Sequence, residues 1–93
     1  MKATSANITG TINAKSGHIG GENSGWIIDT NKIYGSKNSK YAALSIQGSY
    51  AIYAGSSSND DTGAANAPFW VKFDGSMRAT SATIEGKVTA NSG

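Results

Sequence analysis

The sequence predicts an all-β chain in which two terminal strand segments flank a central antiparallel β domain. Three observations carry this prediction. The chain nearly begins and ends with the same words: residues 2–17 read KATSANITGTINAKSG and residues 78–93 read RATSATIEGKVTANSG, aligned without a gap at an offset of 76. Both copies alternate strictly between apolar and polar positions, the period-two pattern of a strand with one buried face. Between them, no ten-residue stretch carries the i, i+3, i+4 apolar stripe of an amphipathic helix.

In the first copy Ala6, Ile8, Gly10, Ile12 and Ala14 share one face, with Asn7, Thr9, Thr11, Asn13 and Lys15 opposite. The second copy repeats the arrangement with Ala82, Ile84, Gly86, Val88 and Ala90. This stripe is too thin to pack against a broad sheet. It suits the close approach of several identical strands around an axis, where a central glycine leaves room for backbones to meet. Internal repeats mark chains that stack units, so the two copies read as one period of a longer repeating protein. Ile8, Gly10, Ile12, Ile84, Gly86 and Val88 are therefore the predicted axial packing residues. The competing reading is an edge strand in a monomeric β-sandwich adhesin repeat. The chain divides into a repeat segment at 1–20, a central module at 21–77 and the second repeat segment at 78–93.

Within the central module, residues 17–25 (GHIGGENSG) form a glycine-rich connector. Trp26–Ile28 and Ile33–Gly35 are short β-formers joined by the polar link 29–32, which predicts a hairpin. Ser36–Lys40 is a polar turn, and residues 41–47 and 50–54 are two strands around Gly48-Ser49. Residues 55–66 (GSSSNDDTGAAN) lack apolar periodicity and predict an exposed, mobile loop. Ala67-Pro68 leads into the strand 69–73, with Phe69, Val71 and Phe73 on one face, and Asp74-Gly75 is a strong hairpin-turn pair.

A single domain of 93 residues buries only roughly 60–65% of its unfolded surface. Apolar residues make up 38%, and with no cysteine a disulfide cannot reinforce so small a core. Oligomerisation is the remaining route to stability. The net charge is +2 and the basic residues are scattered singly, with only Lys37 and Lys40 near each other. That pattern argues against nucleic-acid binding, which wants clustered Lys and Arg. No stretch approaches the roughly 20 apolar residues of a membrane-spanning helix, and the polar residues after Lys2 predict no signal peptide.

The order WIIDTNKIYG, LSIQGSYAIYAG and NAPFWVKFDGSMRATSATIEGKVTANSG resembles a module of tail fibre and tail-tip proteins from phages and prophages of Gram-positive bacteria. The resemblance covers essentially the whole chain and is most specific over residues 67–93. It implies an intertwined homotrimer with β-prism or triple-stranded β-helix ends, neighbouring segments of the same fibre as partners, and a place in the virion during host attachment.

Other chemistry is sparse. His18 is the only histidine; three copies on a trimer axis would suit a metal, but the His-x-His pair used in such fibre sites is absent, and a hydrogen-bonded or solvated histidine is the simpler reading. Asn59-Asp60-Asp61 offers oxygen ligands without the spacing of a calcium loop, so a polar loop tip is preferred. Trp70, Trp26 and Tyr53 are candidate saccharide contacts for a module reading host cell-wall polysaccharide, against the ordinary role of aromatics as core. Glu22, Asp29, Asp60, Asp61, Asp74 and Glu85 share no frame, and Asp29 and Asp74 are simplest as turn residues. The sequence therefore predicts no catalytic residues and no cofactor.

Overall fold

Turn residues cut the central sequence into strands that pair with their neighbours in the chain. The computed structural model describes residues 7–21 and 24–91. Its seven strands form one antiparallel sheet in chain order: β1 (Gly17–Ile19), β2 (Trp26–Ile28), β3 (Lys32–Lys37), β4 (Lys40–Ser45), β5 (Tyr50–Ser56), β6 (Phe69–Lys72) and β7 (Met77–Ala79). The all-β expectation holds, and both predicted hairpins lie where their turn residues put them.

Each turn has its own local chemistry. Asp29 N–H donates to the Lys32 carbonyl at 2.8 Å, and the Asp29 carboxylate accepts from Thr30 N–H at 2.8 Å. Asn38 and Ser39, at φ 54° and 64°, make the two-residue turn between β3 and β4, both in the left-handed region that a tight hairpin requires. Between β6 and β7, the Asp74 carboxylate accepts from both the N–H and the hydroxyl of Ser76, while Gly75 adopts φ 90°. Strand β6 ends at Lys72, so Phe73 lies in this turn rather than in the strand.

Two irregularities in β5 change which face its residues meet. Tyr41 pairs with Ser56 but Ala42 with Ala54, leaving Gly55 as an extra residue at φ 83°. Tyr50 pairs with Lys72 but Ile52 with Val71, leaving Ala51 extra. Each bulge shifts the alternation by one position.

The segment expected to be a mobile loop instead contains a short helix, α1 (Asp61–Ala65). Asp60 caps it by accepting from Gly63 N–H at 2.8 Å, and the Ser58 hydroxyl donates to the same carboxylate at 2.8 Å. Five residues are too few to display helical periodicity, and the capping aspartate was the one available signal. Ala64, in the helix, and Ala67 close over Ala43 and Tyr53; these four form the buried core, flanked by Tyr34, Tyr41, Tyr50 and Trp70.

Strand register separates two faces. Ile27, Tyr34, Ala43, Tyr53, Trp70 and Arg78 stand opposite one another across β2 to β7, on the face covered by α1 and its flanking loop. Ile28, Ile33, Leu44, Ile52, Val71 and Met77 form the matching row on the other face. A second row there runs Gly35, Ala42, Ala54, Phe69 and Ala79, with the Trp26 ring lying over Gly35 at 3.2 Å from where a Cβ would stand. This second face is open: Leu44 and Met77 are 58% and 60% exposed.

Residues 7–16 and 80–91 join no strand ladder, which departs from the strand expected for each repeat copy. A period-two stripe becomes a strand only where another strand offers hydrogen bonds, and among the described residues no strand stands beside either copy. These segments accompany an elongated outline of 58 × 30 × 25 Å. The radius of gyration is 16.5 Å, against about 12 Å for a compact domain of this length.

Candidate functional site

The repeat segments hold the most unusual surface of the chain. Ile8, Ile12, Ile84 and Val88 are 62%, 68%, 63% and 62% exposed. Isolated exposed apolar residues are ordinary on a protein surface, but four at equivalent positions of a repeated pattern are not. Gly10 and Gly86, which separate each pair, adopt φ 125° and 113° with no atom within 4 Å of a would-be Cβ. The same backbone excursion therefore occurs in both copies, in a region that side-chain-bearing residues rarely enter. Lys15, Glu85 and Lys87 fall on the alternate positions, so the apolar stripe carries no charge. Ala6, its first predicted member, lies outside the described residues.

The first copy feeds directly into the sheet. Gly17 opens β1 and pairs with Ile28, and a Cβ on Gly17 would stand 3.8 Å from the Ile28 side chain. Ala14 lines the same depression as Ile28, Ile33, Leu44 and Phe73 on the open face. On the other side, Thr80 N–H donates to the Pro68 carbonyl at 3.0 Å just beyond β7. The stripes are thus anchored to the sheet where they enter and leave it.

The three saccharide candidates do not converge. Trp26 belongs to the open face, whereas Tyr53 and Trp70 belong to the covered one. Tyr53 is 3% exposed and its hydroxyl donates to Asn59 Oδ1 at 3.0 Å, leaving no ring face for a ligand. Trp70 is half-buried, meets the Tyr50 ring edge-on at 5.2 Å, and has the Lys72 ammonium over it at 5.2 Å. Its indole N–H is buried without a hydrogen-bond partner among the described residues. An aromatic saccharide platform needs its ring faces on one surface, and these residues do not provide one.

The remaining polar groups serve local structure. Lys32 donates to Gln47 Oε1 and to the Asn59 carbonyl, both at 2.8 Å, tying β3 to the loop above the covered face. The Asp61 carboxylate accepts from Ser49 N–H at 3.2 Å and fills the space that a side chain on Gly48 would need. Hydrogen bonds from Gly63 N–H and the Ser58 hydroxyl hold the Asp60 carboxyl below its usual pKa; those from Ser76 do the same for Asp74. His18 is exposed in β1 opposite Ile27. Among the described residues, no three histidine or carboxylate groups stand close enough to hold a metal ion; Glu22 lies outside those residues.

Sequence reasoning found the stripes but missed the open face. Its signal was present in Ile28, Ile33, Leu44, Ile52 and Val71, but only the register aligns them. Comparison with protein-family models, with curated proteins and with solved structures finds no match.

Proposed function

We propose that this chain is a structural module of a trimeric phage tail fibre, a rigid spacer and trimerisation unit that serves host attachment. The observation that carries the reading is the pair of bare apolar stripes, Ile8 with Ile12 and Ile84 with Val88, repeated with the same glycine geometry between them. Three copies wound about one axis bury these side chains against each other and supply the strand partners that a single chain lacks.

The magnitudes bring this arrangement about level with a free monomer. Taking each side chain from about 60% exposed to buried is worth roughly 1–2 kcal/mol. Four residues in each of three chains then contribute about 12–24 kcal/mol. That is comparable with an association cost of about 4–15 kcal/mol for each chain added. The stripes therefore roughly offset the cost of assembly, and a stable fibre needs further buried surface beside them.

The test is absolute mass in solution by light scattering, at two concentrations and for two proteins. The wild type is expected at three times 9.5 kDa, about 28.5 kDa, in both samples. Ile84→Asp brings three carboxylates to the axis without counter-charges, a burial that charged groups do not tolerate, and is expected to abolish the trimer. A folded wild-type species near 9.5 kDa overturns the proposal, as does an Ile84→Asp variant that stays trimeric with unchanged melting.

A further inference from the structure

The covered face of the sheet is closed by the chain's own helix and loop, but the open face carries an apolar surface with no such lid among the described residues. Across β2 to β7 its first row is Ile28, Ile33, Leu44, Ile52, Val71 and Met77, without one polar side chain. The second row, Gly35 to Ala79, is again uncharged and is overlaid by Trp26. Ile46 and Phe73 extend the patch, at 72% and 60% exposed, beside Ile28, Ile33 and Leu44.

We infer that this open face is an interface between copies of this chain, in which the apolar rows of one sheet pack against those of another. Three observations select that occupant. The first is area. Ile19, Trp26, Leu44, Ile46, Ile52, Phe73 and Met77 are each between 42% and 72% exposed. Together they present on the order of 800 Å² of mostly apolar surface, about what one partner contributes to a stable interface and more than the roughly 300–600 Å² of a typical monomer's largest patch.

The second is charge. The two rows hold no ionisable group, so copies meet along them without repulsion; Lys37 and Lys40, paired with each other on the same face, stand beyond the second row at the rim. The third is continuity. Ala14, a stripe residue of the first repeat, lines the same depression as Ile28, Ile33, Leu44 and Phe73. Winding the stripe about an axis shared by copies draws the open face towards that axis. The inference takes its copy number from the trimeric reading, but copy-to-copy burial of the face stands at any copy number above one.

The absence of cysteine makes the face directly testable by single-thiol labelling. Leu44→Cys places a small, fairly apolar thiol in the centre of the first row. Ser57→Cys places one on the exposed loop over the opposite face. Both proteins are alkylated natively and in urea, and the mass of each native species is measured alongside. Cys at position 44 is expected to react at least ~10-fold more slowly than Cys at position 57 in the native assembly, with the difference abolished in urea.

Slow labelling at position 44 in a trimer supports both readings. Slow labelling in an assembly of another size supports the interface and overturns the trimer. Equal labelling in a trimer overturns the interface alone. A 9.5 kDa species overturns both, whatever its labelling rate.

Discussion

Tyr53 carries most of the side-chain volume of the buried core, and its hydroxyl also fastens the loop above it through Asn59 Oδ1. Burial pushes its phenol pKa above the ordinary 10.0, and the carboxylates of Asp60 and Asp61 push in the same direction. A group whose pKa is higher folded than unfolded stabilises the fold fully below the unfolded value, and that contribution is lost as pH rises through the raised one. Tyr53→Phe should therefore cost about 1 kcal/mol at neutral pH, the worth of the lost hydrogen bond. The gap in melting temperature between variant and wild type should narrow above about pH 10, where only the wild type bears the phenol's ionisation. A gap constant to about pH 11 would assign the raised pKa no role in stability. Asp60 and Asp74 have the opposite sign: their lowered pKa values give contributions present above the usual carboxylate range and lost as pH falls through the lowered values. Of these residues, Asp74 was legible in the sequence because Asp-Gly has a turn meaning by itself. Tyr53 was not, since an aromatic strand residue declares its type but not which face it occupies.

At the scale of elements, the bulge at Gly55 links the sheet to the segment that covers it. Gly55 stands at φ 83°, and a Cβ there would meet the Pro68 ring at 2.7 Å. Gly75 has a similar φ of 90°, but open space around it. Gly75→Ala should cost about 1 kcal/mol from the backbone alone, and Gly55→Ala about 2–4 kcal/mol because strain and collision add. Urea unfolding of the two variants measures the difference, and equal losses would mean that Pro68 yields freely. The same bulges explain what periodicity concealed. Taken as simple alternation, Tyr50, Ile52 and Ala54 share a face. In the structure Ala51 is extra, so Tyr50 joins Trp70 on the covered side while Ile52 joins Leu44 on the open side. Helix α1 escaped for a different reason: its five residues complete little more than one turn, and its alanines bury too little area to mark a stripe.

For the whole molecule, the terminal stripes and the two apolar rows of the open face contain no charged residue, with Lys37 and Lys40 standing beyond those rows at the rim, so in the proposed assembly association along them is driven by apolar burial. The melting midpoint should rise with protein concentration, as linkage to assembly requires. It should move little between about 0.05 and 0.5 M NaCl, because screening acts on charges that the stripes and the two apolar rows lack. A midpoint independent of concentration would place the cooperative unit within one chain. The strand content and both flanking repeats were legible because alternation and turn residues are local. What the repeats pack against was not, because a stripe with no partner among the described residues declares an apolar face without saying what covers it.

The strand order has a kinetic consequence. Every strand pairs with its neighbour in the chain, and all connections but the helix-bearing link from β5 to β6 are short, so the sheet has little entropy to overcome in finding its register. The two edges, β1 and β7, are three residues each, too short to template growth by edge pairing. In the proposed trimer, sheets of this design form early and wait, and the slow step is the meeting of three chains. In a fibre of consecutive modules that meeting happens once. After the first set of segments has engaged, the next three sheets are tethered side by side at an effective concentration in the millimolar range, and assembly runs along the shaft like a zip.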